Sequence, residues 1–370
     1  MRNYLEYEFK FFYDLPRGAE KAKGIRKAID LALEEDDVQN ALRLFYEYFT
    51  ESVIYDDSYE AILAFPEYTA LFEKHPEYWD KAYHELLWVY KWISGNCHEF
   101  YQISKEQIDS LLENYGSFCD RFNCNKKTYY KNICGILFAE GMDGEVNGVT
   151  FEQSYAHLNR MERDELSDCR ACELDTKIKY VLFYHDDIER ALSLARPLLT
   201  GAMHCTEVPH ITYVNFSHYY LTKGDFTEAE NYADRAWRLL YRDNAQIVSL
   251  AEYVGDILLS YAYSDIRKGL AVFKKSFPLC YNVKNGKMLW KYYYGVYHLM
   301  KQREFADKQY VKIVFPDRNA DFINDENRYT TVQIKEYAYD KLKFLSDKFD
   351  ERNGNTLFND RLSVSYTAQE

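Results

Sequence analysis

The sequence predicts an all-α protein built from consecutive helical hairpins. Three observations carry that prediction. Helix breakers are sparse, with 7 prolines and 15 glycines in 370 residues, so few positions force a helix to stop. Long segments place apolar residues at i, i+3, i+4 and i+7, the period of an amphipathic helix. Strand-like alternation bounded by turn residues is nearly absent.

Bulk properties narrow the class. A single compact core does not extend over 370 residues, but a stack in which each unit touches only its neighbours can grow to that length. Tyrosine is over-used, at 36 copies; its ring buries area while its hydroxyl stays wet, which suits a protein with much surface. The net charge of -13 works against phosphate binding, so no nucleic-acid partner is expected. The local cluster Lys21, Lys23, Arg26 and Lys27 reads as a solvated helix face. Eight cysteines fall far below the density of a disulfide scaffold. The first residues, MRNYLEYEFKFFYDLP, mix charge with aromatics and lack the apolar core of a secretory signal. With no run of about 18 apolar residues either, the expectation is a cytoplasmic protein with reduced thiols and no membrane contact.

The elements follow in order. The first hairpin covers 24–49, with Asp36 and Asp37 in its turn and Ala41 allowing close helix approach. Residues 50–76 look less regular, punctuated by Pro66 and Pro76, and Pro76 is expected to open the next helix. A helix near 104–122 starts at a capping box, Ser104 with Gln107. A helix over 128–140, the glycine-rich loop 141–148 and a helix over 150–161 come next. Further helices are expected near 174–185, 187–199, 208–222, 226–241, 246–263, 266–276, 287–301, 303–314 and 329–349, which makes about 14 to 16 in all. The expected organisation is an N-terminal helical region, 1–165, with degenerate repeats, a repeat region, 166–350, and a polar tail, 351–370, that frays.

Turn signals recur within the repeat region. Small residues after successive turns, Ala191, Ala229 and Gly269, are spaced by 38 and 40 positions, within the range of helix–turn–helix repeats. Residues 210–243 resemble a tetratricopeptide repeat. The family's first-helix pattern is met by Tyr213, Phe216, Ser217 and Tyr220; on the second helix Ala229, Ala233 and Ala236 stand at the pattern positions, the middle one smaller than the bulky residue the family has there. Tyr241 replaces the closing proline, and residues 50–160 match the pattern poorly. The segment DELSDCRAC, 164–172, also resembles one in uncharacterised bacterial tetratricopeptide proteins. The resemblance implies an α-solenoid of tetratricopeptide-like hairpins whose first helices line a concave, partner-binding face. Aligning the hairpins puts Tyr180, Phe183, Tyr184, His218 and Tyr261 on or near that face. The same rings could instead pack between repeats.

Among chemistry-bearing patterns, the sharpest is Cys169-x2-Cys172-x32-Cys205-x4-His210. These residues flank one hairpin, and a hairpin returns the chain to the end it left. Three thiolates and an imidazole, with His204 as the alternative fourth ligand, would make a closed tetrahedral zinc site of structural type. Partly buried thiols at helix ends are the competing reading. Asp143–Gly148, DGEVNG, resembles the start of a calcium loop, but the twelfth position is Ser154 instead of a bidentate glutamate. Phosphate loops, nucleophile elbows, HExxH and GxGxxG are all absent, and His84–Glu85 lacks a second histidine. The sequence therefore points to a protein- or peptide-binding scaffold with no catalytic activity of its own. A peptide-responsive regulator acting through protein contacts, or an enzyme of unrecognised type, are the alternatives.

Overall fold

The computed structural model describes residues 14–55, 58–242, 247–281, 283–303, 310–314 and 326–368. Among the described residues the chain is all-α apart from two short antiparallel strand pairs, and it divides into two compact units, Met1–Ser167 and Asp168–Glu370. No helix of the described residues is long and apolar enough to cross a membrane. The secretory-signal reading of the first residues falls on 1–13, outside the described residues.

The first unit holds α1 (Ala19–Glu34), α2 (Val38–Tyr55), α3 (Tyr59–Lys74), α4 (Trp79–Asn96), α5 (Lys105–Arg121), α6 (Lys127–Ala139) and α7 (Phe151–Arg160). Ala28, Ala32 and Ala41, all buried, let α1 and α2 pack closely. The core is aromatic, with Phe45, Phe49, Tyr68, Phe72 and Tyr115 fully buried and meeting largely edge-on or tilted. Of the four basic residues read as a solvated helix face, Lys23 and Lys27 are exposed and Arg26 half-buried, while Lys21 is buried. Lys23 pairs with Glu20, and Arg26 pairs with Asp30 and Glu67.

Several boundaries differ from expectation for identifiable reasons. Residues 59–74 are a helix with Pro66 inside it. The buried stripe Ile62, Phe65, Tyr68 and Phe72 holds it together, and the Thr69 hydroxyl bonds the Phe65 and Pro66 carbonyls at 3.3 and 3.0 Å. Pro76 opens a single 3-10 turn, Pro76–Tyr78, that leads into α4. The capping box at Ser104 and Gln107 is present, with bonds of 2.8 and 3.2 Å. The glycine-rich loop is a β-hairpin, β1 (Glu145–Val146) with β2 (Val149–Thr150). Its turn residues Asn147 (φ 51°) and Gly148 (φ 71°) are both left-handed, as a two-residue hairpin turn demands. Ser154, the position a calcium ligand would need, is buried and bonded to Cys134 and Phe151.

The second unit holds α8 (Arg170–Phe183), α9 (Ile188–Leu199), α10 (His210–Thr222), α11 (Phe226–Arg242), α12 (Ile247–Tyr263), α13 (Ile266–Cys280), α14 (Gly286–Arg303), α15 (Thr331–Asn353) and α16 (Leu357–Leu362). Each odd-numbered helix from α9 to α13 packs on the helix before it, and α8, α10, α12 and α14 pack in succession. Ala191, Ala229 and Gly269 are buried at the hairpin contacts, where small side chains were expected. The helix expected at 303–314 is not one at its end. Tyr310–Lys312 (β3) pairs antiparallel with Arg328–Thr330 (β4), and Val311 and Tyr329 point inward. The tail beyond 351 does not fray over its first part. Helix α15 runs to Asn353, and α16 turns back so that Phe358 stacks on Phe349 at 4.7 Å. The Asp350 carboxylate accepts the amides of Phe358 and Asn359 at 2.9 and 3.0 Å.

The tightest contact in the second unit is between α12 and α14. A methyl group on Gly295 would run into the carbonyl oxygen of Gly255, and one on Gly255 into the carbonyl of Lys291. Backbone meets backbone here, so no side chain can yield. Gly295→Ala is expected to lower stability by about 2 kcal/mol or more, read as a fall in the urea midpoint. Gly135→Ala is the control, since nothing lies within 4 Å of its added carbon. Equal midpoints for the two variants would contradict the backbone contact.

Candidate metal centre and binding face

Cys169 is the N-cap of α8, in extended conformation (φ -60°, ψ 154°), and its Sγ accepts the Cys172 amide at 3.4 Å. Helix α9 brings the chain back, and the loop after it folds onto the same end: the Met203 amide bonds the Pro197 carbonyl and the Cys205 amide the Val208 carbonyl, both at 3.0 Å. Cys205 thereby reaches the start of α8. Its Sγ is 3.4 Å from that of Cys172, which is 3.4 Å from that of Cys169. All three sulfurs lie within 4.8 Å of one another, the one such group of metal-ligating atoms among the described residues. Cys169 is exposed and the other two are half-buried; no cysteine is in a disulfide.

The donor set suits a soft, tetrahedral ion. Zinc–sulfur bonds of about 2.3 Å place sulfurs about 3.8 Å apart, close to the two 3.4 Å separations and within the 4.8 Å that spans the trio. Its electrostatics are uneven. Burial pushes the Cys169 thiol up, but the Cys172 amide, the two neighbouring thiols and the Ala171 amide outweigh it and hold it below its ordinary value. Burial and the other two sulfurs push Cys172 well up. Burial also raises Cys205, against the opposing amides of Glu207 and Val208. A cation would stabilise all three as thiolates.

His210 does not join the group. It is the first residue of α10, its ring is buried, and it meets Tyr253 edge-on at 6.1 Å. His204 is exposed and also lies outside the group. The trio therefore offers three possible ligand atoms, and neither histidine adds a fourth.

The residues expected on a binding face separate into two sets. Tyr180 and Tyr261 are 2% and 1% exposed, and are core residues. Tyr261 donates its hydroxyl to Asp234 of α11 at 2.7 Å, so it packs between hairpins. Phe183, Tyr184 and His218 remain at the surface, half-buried. Phe183 lies 5.8 Å from the His218 ring. From His218 the row continues: its Nδ1 is 3.8 Å from Asp256 on α12, whose other oxygen is 3.3 Å from Lys291 on α14. Burial pulls His218 below its ordinary value; Asp256 opposes this while Lys291 and Arg361 add to it.

Sequence reasoning missed Asp256, Lys291 and Arg361, together with an aromatic group farther along the same helices. The signal was available. Phe183, His218, Asp256 and Lys291 are separated by 35, 38 and 35 positions, about one helical hairpin each. Beyond them, Tyr263 bonds His298 Nδ1 at 2.8 Å, and the Tyr294 ring meets His298 edge-on at 4.5 Å. The Tyr366 ring lies 5.2 Å from Tyr263 and 6.0 Å from His298.

The chain matches no protein-family model, no curated protein and no solved structure. The reading of the site therefore rests on this chain's own residues.

His298 generates a pH dependence. It is fully buried, and burial, with Lys301 adding to it, lowers its pKa to about 3. Below its ordinary value of about 6.5 the unfolded chain takes a proton that the folded chain refuses. Its contribution to stability is thus whole above about pH 6.5 and is lost toward pH 3, by up to about 1.4 kcal/mol per pH unit. His298→Gln, which keeps a partner for the Tyr263 hydroxyl, is expected to flatten the acid limb of urea midpoint against pH. An unchanged slope between pH 6.5 and 4 would contradict this.

Proposed function

We propose that this chain is a helical-repeat binding scaffold of tetratricopeptide type, and that its second unit holds an extended peptide or protein segment across α8, α10, α12 and α14. The observation that carries the reading is the row Phe183, His218, Asp256 and Lys291. Each comes from a different one of these four helices, one hairpin length apart, and each keeps part of its side chain in solvent. An aromatic ring, an imidazole, a carboxylate and an ammonium in line supply both apolar contact and hydrogen-bond direction, the mixture a peptide-binding groove uses. The repeat resemblance supports the same reading through Ala191, Ala229 and Gly269, the small residues at successive hairpin contacts. The role is binding, and no catalytic step is assigned to the row.

The thiol trio takes a structural part in this reading. A zinc ion on Cys169, Cys172 and Cys205 would pin the loop 200–209 to the start of α8, and so fix how α10 leaves the first hairpin. With three protein ligands, the fourth position falls to water or to a group from outside the trio.

Two measurements test these statements. Chain isolated from its native cell is expected to bring down a stoichiometric partner, and Phe183→Ala with His218→Ala should abolish that at unchanged melting temperature. Undiminished capture by the double variant would remove the row from the binding site. Metal analysis of chain purified without chelators should give about one zinc per chain, lost in Cys172→Ser together with a lower melting temperature. Metal-free chain of full stability would exclude the zinc site.

A further inference from the structure

The residues after α16 have an unusual arrangement. The Val364 amide bonds the Arg361 carbonyl at 3.2 Å, after which the segment to Ala368 forms no regular structure. Ser363, Val364, Ser365, Thr367 and Ala368 are exposed, and Tyr366 alone is half-buried. Its ring rests against Tyr263 at 5.2 Å and His298 at 6.0 Å. The Tyr294 hydroxyl, which also faces Tyr366, donates to the Arg361 carbonyl at 3.0 Å. A single aromatic anchor on an otherwise exposed, irregular segment is how a short peptide docks on a protein.

This anchor point lies on the face already described. Tyr263 is seven residues after Asp256 on α12, and Tyr294 and His298 are three and seven after Lys291 on α14. Those spacings put them on the same side of their helices, one and two turns along. Tyr366 also lies within electrostatic reach of Asp256 and Arg361. The rings beneath it are buried, with Tyr294 at 6% and His298 at 0% exposed in the presence of the segment. His298 Nε2 is buried with no hydrogen-bond partner among the described residues. The ring of the chain's own Tyr366 rests on this aromatic group.

We propose that the segment 363–368 occupies, in cis, the anchor pocket for an extended peptide ligand carrying an aromatic side chain, and that the ligand must displace Tyr366 to bind. This rests on the peptide-binding reading and adds to it the ligand's anchor chemistry and its competitor. A segment joined directly to α16 presents itself at roughly millimolar effective concentration. A free peptide of equal quality is therefore excluded until it exceeds that level, and only a better-matched one wins.

The test uses the acetylated peptide SVSYTAQE, the sequence 363–370, titrated against the full chain and against a chain ending at Leu362, with binding read by nuclear magnetic resonance shifts. Saturable binding to the shortened chain, at least tenfold tighter than to the full chain, is expected, and the same peptide with alanine for its tyrosine should not saturate. If the shortened chain fails to fold, full chain carrying Tyr366→Ala takes its place, with the same expectation. Equal binding to full and shortened chains would overturn the proposal, as would equal binding of the alanine peptide. A full chain that sediments as a dimer and becomes a monomer on shortening would also overturn it, by placing the segment on a second copy. Peptide binding without partner loss in the Phe183/His218 double variant would leave the pocket standing and remove the wider binding row; the converse result would remove the pocket alone.

Discussion

The second unit depends on the contact of two helix backbones. At Gly255 and Gly295 no side chain separates α12 from α14, and the side-chain pairs that join these two helices are built outward from that point. Asp256 follows Gly255 directly, and Lys291 stands one turn before Gly295; their 3.3 Å ion pair follows from the short distance between the axes. Farther along the same two helices, Tyr263 reaches His298 at 2.8 Å. With larger residues at the crossing, the helices would stand about 8–10 Å or more apart, and these pairs would no longer meet. The glycines forfeit helix propensity, roughly 1 kcal/mol each, and the packing they permit offsets it.

The thiol trio obeys a different constraint. Its members come from the start of one hairpin and the loop that follows it, so the α8–α9 turn is what makes them neighbours. The loop is held by its own backbone bonds, from Met203 to Pro197 and from Cys205 to Val208. Cys205 is thus placed by backbone bonds alone, which would lower the ordering cost of binding an ion. The same loop directs His210 away. As the first residue of α10 it turns toward Tyr253, and the chain keeps a three-thiol site with an open side.

Much of the architecture was legible in the sequence because it rests on local rules. Apolar periodicity placed most helices, the Ser104–Gln107 capping box marked a helix start, and small residues after turns marked the hairpin contacts. The failures share a cause. Pro66 was read as punctuation, yet a buried stripe outweighed its missing amide bond. Asn147–Gly148 was read as a loop between helices, although that pair favours a hairpin turn. The alternation Val311, Lys312, Ile313, Val314, inward then outward, is a strand pattern too short to outcompete its helical neighbourhood on inspection. Three of the four proposed metal ligands come together because hairpin closure is a topological consequence of two helices and a turn. The fourth does not, because a ring's direction depends on what it packs against.

The sequence by itself determined the helical class, the hairpin spacing and the cysteines that converge, since each follows from residues within about one repeat of each other. Tertiary structure decided which aromatic residues face solvent. Tyr180 and Tyr261 sit in the core while Phe183 and His218 do not, a difference of helix rotation that neighbouring hairpins impose. It also brought Asp256, Lys291, His298 and Tyr366 together from two helices and the segment after α16. No local pattern encodes that meeting, because it follows from how close two backbones come at Gly255 and Gly295.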